Sequence, residues 1–207
     1  MAIRDILSIS KVYNIFSKTL IKNSMSFFFE HKPGIKVLDV GCGPATTTQY
    51  FLDAHYTGID LSSEYIKTAN KKYQHQENIK FICSDVNIFF NAENAYSEKF
   101  DLVFMSGVLH HLNDTEAENV LFSISKLLKP DGEFRSLDNV FVDNQSRFEK
   151  WLLRNDRGKY VRVISEYEKL IVKHFPEASY TLRHDLLRIP YTHIIFSSQP
   201  NRSARGI

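Results

Sequence analysis

Apolar positions along this chain recur with two alternating periods. Over residues 4–30, Ile6, Ile9, Val12, Tyr13, Phe16, Leu20 and Phe27 stand three or four apart in much of the run, which predicts one or two amphipathic helices. Pro33-Gly34 breaks that pattern. Ile35-Lys36-Val37-Leu38-Asp39-Val40 then forms a short apolar run ending at glycines, as a buried parallel strand does. The following residues read as a helix over 46–53, a strand over 56–60 and a helix over 62–73, with Ser62 or Ser63 placed to cap it. Strands follow at 79–83, 100–106 and 133–137, and a helix at 115–128 is closed by Pro130-Asp131-Gly132. After residue 140 the order changes: 144–156 and 164–175 read as helices before two strand-like runs at 179–183 and 192–197.

Strands alternating with helices over short links predict an α/β fold, because each parallel crossover needs a helix. A doubly wound, Rossmann-like sheet is the expected architecture. At 207 residues the chain has room for one well-buried domain, spanning 1–207. Two parts stand outside the alternation, an N-terminal helical segment at 1–31 and an insertion at 142–177 that would form a helical cap. Lys+Arg 26 against Asp+Glu 24 gives a charge of +2, so no global field recruits nucleic acid or an anionic partner. Cys42 and Cys83 lack the spacing of a disulfide framework or zinc site, and no stretch is apolar enough to be a signal peptide or to span a bilayer. The expectation is a cytoplasmic protein without membrane insertion, with free thiols and no metal. Its oligomeric state is left open.

The chemistry concentrates at predicted strand ends. Gly41 and Gly43 follow the first strand, where they permit a tight turn and the close approach of a ligand to backbone. Asp39 lies just before them, Asp60 ends the second strand, Asp85 follows the third and Ser106-Gly107 the fourth. Ligands of open α/β sheets bind outside the carboxyl ends of the strands, so these residues would share one crevice. Each acid alone has a plainer reading as a helix or turn cap. Caps do not account for acids recurring at successive strand ends beside a glycine turn, and a nucleoside-containing ligand does. The nicotinamide-dinucleotide pattern Gly-x-Gly-x-x-Gly fails at Thr46.

Across residues 35–138 the motifs Leu38-Asp39-Val40-Gly41-Cys42-Gly43, Gly58-Ile59-Asp60-Leu61-Ser62, Ser84-Asp85-Val86, Phe100-Asp101-Leu102-Val103, Val108-Leu109-His110-His111-Leu112 and Leu127-Leu128-Lys129-Pro130-Asp131-Gly132-Glu133 occur in that order. This series resembles the class I S-adenosylmethionine-dependent methyltransferases, particularly small-molecule enzymes similar to those of quinone biosynthesis. The resemblance implies a seven-stranded, mostly parallel sheet whose last strand is antiparallel. It also implies S-adenosyl-L-methionine as cofactor. Gly41 and Gly43 would approach its methionine part, Asp39 would orient the glycine loop, and Asp60 would bind the ribose hydroxyls. Leu61 would flank adenine, Asp85 would accept from the adenine amino group with Val86 beside it, and Ser106 would lie near the methionine amino group. The sequence departs from the fuller glycine pattern at Ala45, a small residue expected to open the next helix.

A sulfonium donor chiefly needs alignment with its acceptor, and a hydroxyl acceptor also gains from a base. His110 and His111, just after the fourth strand, are the catalytic candidates, His110 ahead of His111, although packing or capping is the weightier reading of a histidine in such a loop. Within the insertion, Arg157, Tyr160 and Arg162 are candidates for holding a small-molecule acceptor, with the arginines suited to a carboxylate or phosphate. The expected function is methyl transfer to a metabolite, lipid or sugar-linked compound. A cofactor-binding subunit without its own catalysis is the alternative.

Overall fold

The computed structural model describes residues 28–91 and 99–198. The helices expected over 4–27 therefore lie outside the described residues. The strands are β1 (Lys36–Val40), β2 (His55–Asp60), β3 (Ile79–Cys83), β4 (Phe100–Ser106), β5 (Leu128–Phe141), β6 (Arg162–Val163), β7 (Ala178–Arg183) and β8 (His193–Ser198). The helices are α1 (Ser63–Lys72), α2 (Val86–Asn91), α3 (Asp114–Leu127), α4 (Arg147–Arg154) and α5 (Ile164–Val172). Seven strands lie in the order β3-β2-β1-β4-β5-β8-β7, and the two-residue β6 pairs with β5 to make the eighth. β1 to β5 run parallel, while β8 is antiparallel to both β5 and β7. The doubly wound sheet and its reversed last strand are those the sequence predicts.

The local signals explain most elements. Ser62 caps α1 by accepting from Tyr65 N–H at 3.3 Å, and Asn113 and Glu116 close a reciprocal capping box on α3. β1 is buried from Val37 to Val40 and β4 from Leu102 to Met105, as strands covered on both faces must be. One layer of the core joins Val103, Met105, Leu121, Ile124, Phe134 and Phe196. The other joins Phe28, Phe29, Phe51, Tyr56, Phe81 and Phe104. Arg135 ties the start of the described chain to the sheet, donating to the carbonyls of Phe28 and Glu30 while Glu133 takes its other face.

Two expectations need correction. The helix expected over 46–53 is only a 3-10 turn, Thr48–Tyr50. Thr46-Thr47-Thr48 is a β-branched run that resists α-helix, and Ala45 enters it with φ of 60°, so the chain reaches β2 by packing Phe51 and Ala54. The break expected at Pro130-Asp131-Gly132 is an excursion within β5. Phe100 pairs with Leu128 and Leu102 with Glu133, and a Cβ at Gly132 would lie 2.7 Å from the Phe100 carbonyl oxygen. Among the described residues no helix is long and apolar enough to cross a membrane.

Phe104 is fully buried with edge contacts to Phe28 and Phe29 and a stacked contact to Phe51. Phe104→Ala is expected to cost about 3–5 kcal/mol, read as a lower denaturant midpoint at unchanged slope.

Candidate functional site at the carboxyl ends of the strands

β1 and β4 are neighbours whose onward crossovers leave in opposite directions, so the crevice between their carboxyl ends is the sheet's switch point. The turn after β1 is shaped by three left-handed residues, Gly41 (φ 77°), Gly43 (φ 53°) and Ala45 (φ 60°). A Cβ on Gly41 would come within 2.5 Å of Val108 Cγ2, whereas one on Gly43 would meet open space. The Ile59 carbonyl accepts from Gly41 and Cys42 N–H at 2.8 and 3.0 Å. Asp60 accepts from Gly43 N–H at 2.9 Å with one oxygen and from Ser62 N–H at 2.8 Å with the other. Lys72 holds the far side of the turn through the Ala45 carbonyl at 3.0 Å.

Asp39 lies beneath this turn, 1% exposed, and accepts from Thr47 and Tyr56 hydroxyls at 2.7 and 2.5 Å. Burial pushes its pKa up to about 7 even though those two hydrogen bonds favour the charge. Along the crevice, Asp85 caps α2 through Asn87 N–H at 2.7 Å. Leu61 is 73% exposed beside Asp60, an unusual position for a large apolar side chain that packing alone does not demand. Val86 is buried in the core, so it has only backbone to offer a ligand. Ser106 ends β4, and Gly107 (φ 71°) continues through a hydrogen bond from its N–H to the Leu137 carbonyl at 2.7 Å.

On the other side of the crevice, the 3-10 turn Leu109–His111 brings the two candidate histidines into unlike settings. His110 is buried, with Nδ1 2.6 Å from Asp138 and Nε2 3.3 Å from Asp156. Burial disfavours its charge, but the hydrogen bonds and charges of the two carboxylates prevail and raise its pKa to about 9. With both ring nitrogens donating, it has no lone pair for an acceptor proton. His111 is exposed at the rim, its ring 4.2 Å from that of His110. Lost hydration at that contact and the neighbouring charge lower its pKa to about 4, so it is neutral at pH 7.

The insertion closes over His110. A Cβ on Gly158 would lie 1.8 Å from the imidazole, and Tyr160 N–H donates to the His110 carbonyl at 2.9 Å. Arg162 is buried and donates to the Leu109, Tyr160 and Leu112 carbonyls and to Asp114. Its guanidinium thus holds the insertion to the turn after β4, a structural use that the polar run did not reveal. Tyr160 is exposed and Arg157 half-buried at the same rim. Asp156 also accepts from Tyr191 OH at 2.6 Å, and Tyr191 accepts from Asn139 at 2.8 Å. Asp138, Asp156 and Gly158 are the residues the sequence reading missed. Asp138 stands one residue past the predicted fifth strand, so extending the strand-end search by one strand finds it.

Comparison with known proteins finds residues 37–132 similar to a family described as a methyltransferase domain. An uncharacterized methyltransferase of Schizosaccharomyces pombe is 30% identical over 119 residues, which is 54% of this chain and 41% of that protein. A ubiquinone biosynthesis O-methyltransferase of Actinobacillus pleuropneumoniae is 33% identical over 103 residues, 48% of this chain and 43% of that one. The chain spans less than half the length of these curated relatives. Among solved structures, phosphoethanolamine N-methyltransferase 2 of Haemonchus contortus, in complex with S-adenosyl-L-methionine, superposes with a TM-score of 0.66 at 16% identity. That likeness covers 96% of this chain and 60% of the other, and shows a shared fold.

A histidine pKa raised above its unfolded value stabilises fully below about 6.5, and that stability is lost as pH rises through about 9. Denaturant melts across this window are expected to show the native protein losing up to about 3 kcal/mol more than His110→Asn. Parallel curves would remove the shared proton from His110.

Proposed function

We propose that this chain carries a class I S-adenosylmethionine-dependent methyltransferase domain and methylates a small molecule held between the strand ends and residues 142–177. The observation that carries the reading is the convergence of Gly41, Gly43, Asp60, Asp85 and Ser106 on one crevice edge, with open space above Gly43. The domain is taken as a single unit over 1–207, with the insertion 142–177 covering the acceptor side.

The residues present fit the cofactor. Asp60 spends one lone pair of each oxygen on backbone N–H groups, and a carboxylate retains two more for a pair of ribose hydroxyls. Leu61 provides an exposed apolar face for a base, Asp85 an acceptor for an exocyclic amine, and Val86 its backbone. The left-handed turn at Gly41 and Gly43, steadied by Asp39 from below, brings backbone close to an amino-acid moiety, and Ser106 borders it. S-adenosylmethionine supplies a methyl group on a sulfonium, a donor that needs alignment more than activation. The protein's task is then to hold the acceptor in line and keep water out.

Of the two histidines, His111 is the one suited to touch the acceptor. It is neutral at pH 7, exposed at the rim and has a lone pair to receive an acceptor proton as the new bond to carbon forms. His110 positions the turn that carries it. Arg157 and Tyr160 border the acceptor space, while Arg162 serves that space by anchoring its wall.

Thermal melts test the cofactor assignment. S-adenosylmethionine and S-adenosylhomocysteine at about 100 times Kd are expected to add ~2.7 kcal/mol, a rise of several degrees, while NAD adds none. Asp60→Ala should lose most of that rise, and its ligand-free protein should melt somewhat lower because the Gly43 and Ser62 N–H groups lose their acceptor. A shift with NAD alone would overturn the reading. With a hydroxyl acceptor, His111→Ala is expected to slow transfer by ~10²–10⁴-fold at unchanged cofactor affinity, and equal turnover would remove His111 from the chemistry.

A further inference from the structure

Helix α4 presents to solvent a face the methyl-transfer reading does not use. Phe148 and Trp151 are 55% and 47% exposed and stack on each other with ring centroids 6.1 Å apart. At about 100° per residue, Lys150, Arg154, Arg147, Trp151 and Phe148 occupy one arc. Glu149 and Leu153, on the opposite side, are buried against the sheet. Arg147 and Arg154 form no ion pair among the described residues, and Lys150 spends its ammonium on the Asp143 carbonyl. The helix's sole acid, Glu149, points inward, where Gln145 and Thr192 donate to it. The outward face is therefore aromatic and cationic, without a compensating acid of its own.

We propose that this face docks the protein on an anionic lipid surface, with Trp151 and Phe148 entering the headgroup layer and Arg147, Lys150 and Arg154 meeting lipid phosphates. Aromatic side chains flanked by Lys and Arg on an amphipathic helix are what such an interface selects. The charge also argues against the nearest competitor for the face. Residues 1–27 contain Arg4, Lys11, Lys18 and Lys22 against Asp5, the same sign as the helix they would have to cover. Moving the exposed apolar ring surface out of water is favourable, the Trp151 N–H keeps partners among the headgroups, and basic side chains strengthen the attachment by about fivefold each near an anionic surface.

Trp151 is the only tryptophan of the chain, so its fluorescence reports this face alone. The full chain is titrated with phosphatidylcholine vesicles and with vesicles containing phosphatidylglycerol, and binding is read in parallel by co-sedimentation. The expected result is a blue shift and sedimentation with the anionic vesicles only, reversed by high salt. Arg147→Glu with Arg154→Glu should reduce binding by at least tenfold, and Phe148→Ser by several-fold, with circular dichroism melts and S-adenosylmethionine affinity unchanged to show intact folding. A tryptophan already blue-shifted and shielded from acrylamide without vesicles would overturn the proposal in favour of cover by the chain's own residues or, if concentration-dependent, by a second copy. Absence of binding at low salt, or binding indifferent to these substitutions, would overturn it too.

Discussion

The crevice depends on a clamp made by β2 upon the turn after β1. One carbonyl, that of Ile59, takes two consecutive N–H groups, and the next side chain, Asp60, takes a third from Gly43. That arrangement forces left-handed backbone at Gly41 and Gly43 and sets the distance between the first two strand ends. The underside is equally constrained, since Gly58 leaves room for Cys42, and a Cβ there would lie 2.9 Å from its sulfur. Asp39 then fills the space below with a carboxyl that Thr47 and Tyr56 hold in place. The shape offered to a ligand is thus fixed by hydrogen bonds to the turn's backbone and by held carboxylates beside and beneath it.

A second organising contact lies across the crevice. His110 gathers Asp138 from β5 and Asp156 from the insertion, while Arg162 draws together three carbonyl groups and Asp114. Desolvation offsets part of the attraction in the His110 pairs, and the carboxylate of the Arg162 pair is largely exposed. Their value is positional. They fix the insertion over the turn after β4, and they leave the adjacent His111 uncharged at the rim.

Much of this was legible in the sequence, for physical reasons. Buried parallel strands are nearly continuous apolar runs, so β1 to β4 stand out, and the acids at 39, 60 and 85 stand out against them. Caps such as Ser62 act within three residues and read directly. The helix expected at 46–53 failed because its apolar spacing is also satisfied by a single turn that buries Phe51 and Ala54, and the threonine run tips the balance. The unlike settings of His110 and His111 were hidden because they depend on Asp138 and Asp156, which lie 28 and 46 positions from His110 and meet only after folding.

Gly158 sets a limit on how such a protein can be re-engineered. Its α-carbon is packed so tightly on the His110 ring that no other residue fits there without moving the loop or the ring. A loop graft at this insertion would have to transplant the glycine, both carboxylates and the histidine together. The insertion is therefore not a modular lid but one half of a keyed joint, and its other half is written into the fourth and fifth strands.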